Sequence, residues 1–359
     1  MTEGLEGVIA ARTILSDVDG DAGRLVIRGY SLDQLAGRTR FAAAAHLLLD
    51  GFFEDLPDVV GLEARLGLAR AAVFARIMST GGVPTGLNAV ESVRALLARL
   101  PDGDDLHTAV TLLSAPAVFT AAVARNRNGL EPIRPDPALD HAADTLRMVR
   151  GVTASPAEAA ALDTYLVTVC DHGLNASTFA ARVTASTLAG LTSAVLTGLS
   201  TLKGPLHGGA PGPVIEMLNA IGEVANVRPW IEQALARGDR LMGFGHRIYR
   251  VRDPRADALK RAVRTLTPDA GRLVLAEAVE QAALAILRER KPNRSLQTNV
   301  EFYTALLLEA LGFAPDDFTC VFAMGRTLGW LAHAREQVAS GRLIRPASTY
   351  VGPVPQIAA

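Results

Sequence analysis

Leu162-Asp-Thr-Tyr165-Leu166-Val-Thr-Val169-Cys170-Asp171-His172-Gly173 is the stretch whose reading decides the fold. Its apolar residues Leu162, Tyr165, Leu166 and Val169 fall at i, i+3, i+4 and i+7, the stripe on one face of an α-helix rather than the alternation of a strand. Asp171-His172-Gly173 ends the stripe. Residues 177–202 then form a stretch read as helical, uncharged after Arg182, and Lys203-Gly-Pro-Leu-His207-Gly-Gly-Ala-Pro-Gly-Pro213 interrupts all regular structure. Helical periodicity returns at 214–237, 256–266 and 273–289, the last with its apolar stripe at Leu275, Val279, Ala282 and Ile286, and again from Phe302 to Leu311 and Thr327 to Ser340.

Working back towards the amino terminus, residues 101–156 read as helices joined by solvated turns, with no true linker. Residues 57–100 give two helices broken by Gly81-Gly82-Val83-Pro84, and Phe41 to Leu49 gives another, ended by Gly51. Ser31 caps a short helix through Leu35. The first thirty or so residues differ: Val8 to Leu15 and Arg24 to Arg28 read as strands around a turn at Asp19 to Gly23. There is no β-α-β alternation and no repeat of fixed period, so the expected fold is all-α after a short N-terminal β element.

A chain of 359 residues has room for roughly two domains. Its net charge of -1 provides no global field for nucleic acid or anionic lipid, so neither is expected as a partner. Cys170 and Cys320 belong to no Cys-x-x-Cys motif and read as isolated buried thiols. With an acidic amino terminus lacking a signal pattern, they predict a cytoplasmic protein. Val183 to Leu202 is twenty residues long and uncharged, but its eight Ser or Thr and two Gly favour a buried helix over a membrane span.

Four places set ionisable residues beside glycine, proline or a helix end, where backbone can approach a ligand. The first is Asp171-His172 with Asn175 or Ser177 as the next helix cap; a histidine at a helix C-terminus also has a purely structural reading through the dipole. The second is His207, between a proline turn and a glycine pair whose N–H groups suit an oxyanion. The third is Met242-Gly-Phe-Gly-His246-Arg247-Ile-Tyr-Arg250-Val-Arg252-Asp253-Pro-Arg255, where four arginines in nine residues suggest a polyanionic ligand. The fourth is Thr298-Asn-Val-Glu301, a capping-box pattern that would occupy Glu301 structurally. No histidines at i, i+3 or i+4 and no His-Glu-x-x-His are present, so no metal site is expected.

At these residues the sequence resembles the citrate synthase family over nearly its whole length, in Gly4-Leu-Glu-Gly-Val, Arg24-Leu-Val-Ile-Arg-Gly-Tyr, Leu174-Asn-Ala-Ser-Thr-Phe-Ala-Ala-Arg, Lys203-Gly-Pro-Leu-His-Gly-Gly-Ala, Met242-Gly-Phe-Gly-His-Arg, Arg342-Leu-Ile-Arg-Pro and Tyr350-Val-Gly-Pro. The resemblance, to the short bacterial dimeric type, implies an all-α homodimer. It places a large domain at 1–209 and 308–359, a small domain at 210–307, and the active site in the cleft between them. It implies condensation of acetyl-CoA with oxaloacetate and hydrolysis of citryl-CoA, with acetyl-CoA as substrate and no cofactor. The alternatives are a 2-methylcitrate synthase using propionyl-CoA and a catalytically weak citrate- or CoA-binding paralogue. By the same resemblance His207 stabilises the acetyl-CoA enolate, His246 polarises and protonates the oxaloacetate carbonyl, and Glu301 is the base. His172, Arg255 and Arg326 bind oxaloacetate or citrate, with Arg345 supplied across the dimer interface. Arg250 and Arg294 meet CoA phosphates, and Met242, Gly243, Phe244 and Gly245 lie along the adenine. The sequence departs from the family at the base, where Asp is usual; the longer Glu301 moves the carboxylate by about an ångström, a displacement that matters at a reacting centre.

Overall fold

The computed structural model describes residues 3–5, 7–208, 211–246, 248–266, 271–291 and 296–353. A three-stranded antiparallel sheet opens the chain, β1 (Ser16–Asp19), β2 (Arg24–Ile27) and β3 (Tyr30–Ser31), in that order. Ser16 pairs with Ile27 and Asp19 with Arg24. The first strand therefore lies later than the Val8–Leu15 stretch that hydropathy suggested. The turn sets its place: Asp19 Oδ1 accepts the N–H groups of Asp21 and Ala22, so pairing must start at the turn, and Val8 and Ile9 remain exposed.

Helices make up the remainder: α1 (Leu32–Leu35), α2 (Phe41–Leu49), α3 (Val59–Ser79), α4 (Ala89–Leu97), α5 (Leu106–Arg127), α6 (His141–Arg150), α7 (Pro156–Val169), α8 (Ala176–Ala185), α9 (Leu191–Leu202), α10 (Pro211–Ile221), α11 (Val227–Ala236), α12 (Pro254–Leu266), α13 (Gly271–Arg290), α14 (Val300–Ala310) and α15 (Phe318–Ser340). Side-chain caps fix many of their starts: Asp58, Asn88, Asp105, Asp140, Ser155 and Asn175 each accept a backbone N–H of the first turn. Two expected helices are split. The 177–202 stretch becomes α8 and α9, which pack on each other, because Leu188 and Gly190 adopt positive φ and the distant Asp102 carboxylate caps α9 through Thr192 and Ser193. The 214–237 stretch breaks at Gly222, and its first half starts earlier, at Pro211, a residue suited to a first turn.

The core is built around α5, which lies against α3, α4, α6, α9 and α15. By length and composition α5 is apolar enough to cross a membrane, but 83% of its apolar window is buried by those neighbours. Cys170 and Cys320 are free and buried. Farther along, α12 bridges α7 and α14, α10 packs on α14, and α11 on α13. This puts the first turn of α12 and the first turn of α14 beside the C-terminal end of α7, the end that leads to His172.

A buried polar web ties the amino-terminal segment to this region. Thr13 Oγ1 and the Ile14 N–H donate to Glu336 Oε1 at 3.2 and 2.9 Å, and Arg182 Nη1 reaches Glu336 Oε2 at 2.5 Å. Ser16 Oγ donates to Asp171 Oδ2 at 2.5 Å and accepts the Gly173 N–H at 3.0 Å. His333 lies between Asp171 and Arg182.

Candidate active site

Glu301 stands in the first turn of α14, and the local chain frees its side chain. The capping-box expectation does not hold: the cap is Asn299, whose Oδ1 accepts the Glu301 N–H at 3.0 Å, while Thr298 Oγ1 donates to Glu280 at 2.7 Å. Among the described residues nothing hydrogen-bonds the Glu301 carboxylate. Burial pushes its pKa up to about 7 against the opposing pull of the Arg255 and Arg240 guanidinium groups. A carboxyl group poised near neutrality and without a partner is suited to take a proton.

The Glu301 cap is stitched to the segment carrying His246. Gly245 N–H donates to Gln297 O at 2.7 Å, Asn299 N–H to Gly243 O at 3.0 Å, and Asn299 Nδ2 to Gly245 O at 2.8 Å, around a bridge between Phe244 and Thr298. Gly243 and Gly245 have φ of 84° and 86°, and a Cβ would fall 2.8 Å from Phe302 at the first and 2.9 Å from Leu296 at the second. The close approach therefore requires glycine at both. Phe244 packs its ring on Phe302, with centroids 5.3 Å apart.

His246 Nδ1 accepts two backbone N–H groups, from Ile248 and Tyr249, each at 3.0 Å. Fixed donors on Nδ1 assign the proton of the neutral ring to Nε2. Burial, with Arg255 adding to it, lowers its pKa to about 4, so the ring is neutral at physiological pH. Nε2 then lies 3.2 Å from Arg255 Nη2, itself a donor. The His246 Nε2 proton and the second Nη2 proton of Arg255, whose first goes to Asp253, can converge on one oxygen of a ligand. Arg255 is held in place by Asp253, which accepts from Nε at 3.0 Å and Nη2 at 2.9 Å and also takes the Val300 N–H at 3.1 Å.

His172 lies beside this pair. Its ring centroid is 5.8 Å from that of His246, and its Nε2 is 3.1 Å from Tyr249 Oη. Burial first, then Arg255 and Arg326, hold its pKa well below the usual histidine range. Arg326 is 1% exposed; its Nε donates to Val169 O at 2.7 Å and its guanidinium sits over the Phe322 ring. No carboxylate among the described residues forms an ion pair with it, and burial lowers its pKa to about 10. A buried cation without a counter-ion invites an anionic ligand.

His207 is half-buried in the turn after α9, within ionic range of Arg326; burial, then that guanidinium, lowers its pKa to about 4. Its Nε2 meets the Ser177 N–H at 3.3 Å and Ser177 Oγ at 2.8 Å at the start of α8, and Trp330 Nε1 donates to the same hydroxyl at 3.1 Å. The backbone donor needs a lone pair on Nε2, which leaves the proton on Nδ1. Ser177→Ala is therefore expected to lower kcat about tenfold by loosening this ring, the worth of one hydrogen bond; steady-state rates unchanged within twofold would mean the backbone contact suffices. Gly209 and Ala210, expected to offer oxyanion donors, lie outside the described residues, as do Arg247 and Arg294.

The four arginines of 247–255 divide by role. Arg252 is neutralised by Asp257 and Glu280, so it is structural. Arg250 is exposed, its N–H on Gly20 O at 2.9 Å, and Arg345 is exposed in the extended segment after α15. Cavities of about 410 and 260 Å³ lie elsewhere, lined by residues such as Asp140 and Asp163 in one and Asp102 and Arg335 in the other.

A family model described as citrate synthase, C-terminal domain, matches residues 4–347. The chain belongs to the citrate synthase family. A putative citrate synthase 2 of Mycobacterium tuberculosis is 38% identical over 361 residues, covering 98% of this chain and 93% of that protein. The crystal structure of citrate synthase from Thermotoga maritima MSB8 matches with a TM-score of 0.85 at 33% identity, covering 100% of this chain and 98% of that one. A ternary complex of citrate synthase from Thermoplasma acidophilum with carboxymethyl coenzyme A and oxaloacetate matches with a TM-score of 0.86 at 28% identity, covering 100% and 98%. The protein is thus a transferase with the all-α citrate synthase fold. Three residues that support this citrate synthase site were not singled out by sequence, Tyr249, Asp253 and Arg240, and Ser177 was read only as a candidate helix cap. Asp253 carried a usable signal, since an acidic residue two positions before a buried arginine can clamp it; Arg240 carried none.

Proposed function

We propose that this chain condenses acetyl-CoA with oxaloacetate and hydrolyses the citryl-CoA formed, releasing citrate and CoA, with no cofactor. The observation that carries the reading is the stitch between 243–245 and 297–299, which sets Glu301, a carboxylate without a hydrogen-bond partner among the described residues, and an imidazole donor, His246, on one support. Glu301 removes a proton from the thioester methyl group while His207 donates Nδ1–H to the thioester oxygen, giving an enolate or enol. Its methylene carbon attacks the carbonyl carbon of oxaloacetate, and His246 gives its Nε2 proton to the carbonyl oxygen. Water then cleaves the thioester. His172, Arg255 and Arg326 hold the carboxylates of oxaloacetate.

In this proposal Met242 to Gly245 and Arg250 face CoA, with Arg294 a further candidate for its phosphates. The stitch consumes the carbonyls of Gly243 and Gly245 and the N–H of Gly245, which leaves the backbone groups of Met242 and Phe244 and the Gly243 N–H for adenine in this proposal. The domain division at 210–307 and a homodimer in which Arg345 completes the partner's site belong to the same proposal.

The test follows CoA release with a thiol reagent at saturating acetyl-CoA and oxaloacetate, and citrate by chromatography. Equimolar citrate and CoA are expected, with kcat/KM higher for acetyl-CoA than for propionyl-CoA. One methylene in an apolar pocket is worth about 1–3 kcal/mol, so the two substrates should separate by about tenfold or more. A preference for propionyl-CoA would reassign the chain as a 2-methylcitrate synthase. No release above background would leave a binding paralogue.

A further inference from the structure

Glu280 lies in the middle of α13, 4% exposed, and its carboxylate collects four donors from three other parts of the chain. Oε1 accepts from Thr298 Oγ1 at 2.7 Å and Arg252 Nη1 at 2.9 Å. Oε2 accepts from Tyr303 Oη at 2.6 Å and Lys260 Nζ at 2.8 Å. The two oxygens of a carboxylate have about four acceptor positions, and here each oxygen serves two donors. Against burial, the hydrogen bonds from Lys260, Tyr303 and Thr298, with the Arg252 charge, bring it well below the usual carboxylate range, to about 2, so it is ionised at physiological pH.

The donors come from functional elements. Arg252 belongs to the loop that starts at His246. Lys260 is on α12, whose first turn carries Arg255. Thr298 is the bridge partner of Phe244 and precedes Asn299, and Tyr303 is two residues beyond Glu301. Asn299 in turn caps the Glu301 N–H and holds Gly245 O, next to His246. Glu280 thus reaches both proposed catalytic groups through Thr298 and Asn299, while touching neither.

We infer that Glu280 is a positioning residue for the condensation: its carboxylate fixes the start of α14, and with it the Glu301 carboxylate, relative to the His246 loop. This rests on the reading of Glu301 as the base. A glutamine cannot replace it, because an amide presents one acceptor oxygen and turns a donor towards Thr298 and Arg252 or towards Tyr303 and Lys260, and neither cation can accept. The Thr298-x-x-Glu301 pattern is not used as a cap because α14 starts one residue later: Asn299 takes the Glu301 N–H, and the Thr298 hydroxyl turns to Glu280 instead.

The experiment compares Thr298→Val, which removes one hydroxyl and leaves every charge in place, Tyr303→Phe and Glu280→Gln. The measurements are kcat, oxaloacetate Kd by calorimetry, melting temperature and the pH midpoint of kcat/KM. Thr298→Val is expected to lower kcat about tenfold and Glu280→Gln about 100-fold, the scale of a small misplacement at a reacting centre, with oxaloacetate Kd within about threefold. The midpoint should fall from about 7 towards an ordinary carboxylate as Glu301 gains solvent. The Glu280→Gln/Thr298→Val double variant should be little worse than Glu280→Gln alone. If Glu280→Gln does not fold, the two hydroxyl variants decide. Wild-type enzyme that releases no CoA overturns the function on which this rests, and the inference with it. Active wild type with variants that match its kcat and midpoint, differing in melting temperature alone, overturns the inference and leaves the function standing.

Discussion

Glu301→Gln is expected to lower kcat about 1,000-fold, in the range that general-base catalysis supplies, while leaving oxaloacetate affinity within about threefold. The amide keeps the volume of the side chain and loses the ability to take a proton. In the proposed function oxaloacetate is held by His172, Arg255 and Arg326, none of which hydrogen-bonds the Glu301 carboxylate. Titration gives an independent check. Only the ionised form can accept a proton, and its pKa is about 7, so kcat/KM should rise as pH passes upward through about 7 and level off above it. Stability runs the other way. A glutamate in an unfolded chain titrates at about 4.5 and this one in the fold at about 7, so the native state holds the proton more tightly than the unfolded chain. That contribution is complete below about pH 4.5 and is lost as pH rises through about 7. Glu301→Gln should thus be more stable than wild type at pH 8, by up to about 3 kcal/mol, and equal to it near pH 4. Urea melts at the two pH values measure the difference. A variant that turns over like wild type, or that is less stable at pH 8, would return Glu301 to a structural role.

His207→Ala is expected to cost about 100- to 1,000-fold in kcat, the loss typical of one oxyanion donor. A thioester methyl is far too weak an acid for a carboxylate acting alone; the negative charge must be met at the oxygen as it forms. A neutral imidazole with its proton on Nδ1 does this without requiring a charge in the substrate-free site, and burial beside Arg326 keeps it neutral. Because the ring is half-buried and sits in a turn, its removal should shift the melting temperature little. Retention of more than a tenth of wild-type kcat would show that another donor, such as a backbone N–H of the following glycines, carries the oxyanion.

Much of this arrangement is legible in the sequence where the cause is local. Phe41 to Leu49 was bounded by its own apolar run and Gly51, and α2 spans those residues. His172, His207 and His246 stood out because glycine or proline freed the backbone beside them. What escaped depended on partners far away in the chain. The division of 177–202 rests on Asp102, about ninety residues earlier, capping α9. The capping-box reading of Thr298 failed because the helix starts one residue later, with Asn299 taking the Glu301 N–H while the Thr298 hydroxyl donates to Glu280 on another helix. The four arginines looked alike in sequence, and their division into Arg252, held by acids, and Arg255, clamped but facing His246, is a property of packing. The first strand was misplaced because exposed Val8 and Ile9 mimic the apolar content of a strand.

The hydrogen bonds that Thr13, Ile14 and Ser16 make to Glu336 and Asp171 have a practical corollary. Asp171 is the neighbour of His172, so the leading segment is part of the foundation of the proposed oxaloacetate pocket despite its exposed apolar side chains. A protease that nicks before β1, or an affinity-tag cleavage that trims past Thr13, would loosen the imidazole next to the carboxylate-binding arginines. Purification handles belong on the opposite terminus or ahead of an intact leader, and a preparation of unexpectedly poor oxaloacetate affinity should first be checked by mass spectrometry for a ragged beginning.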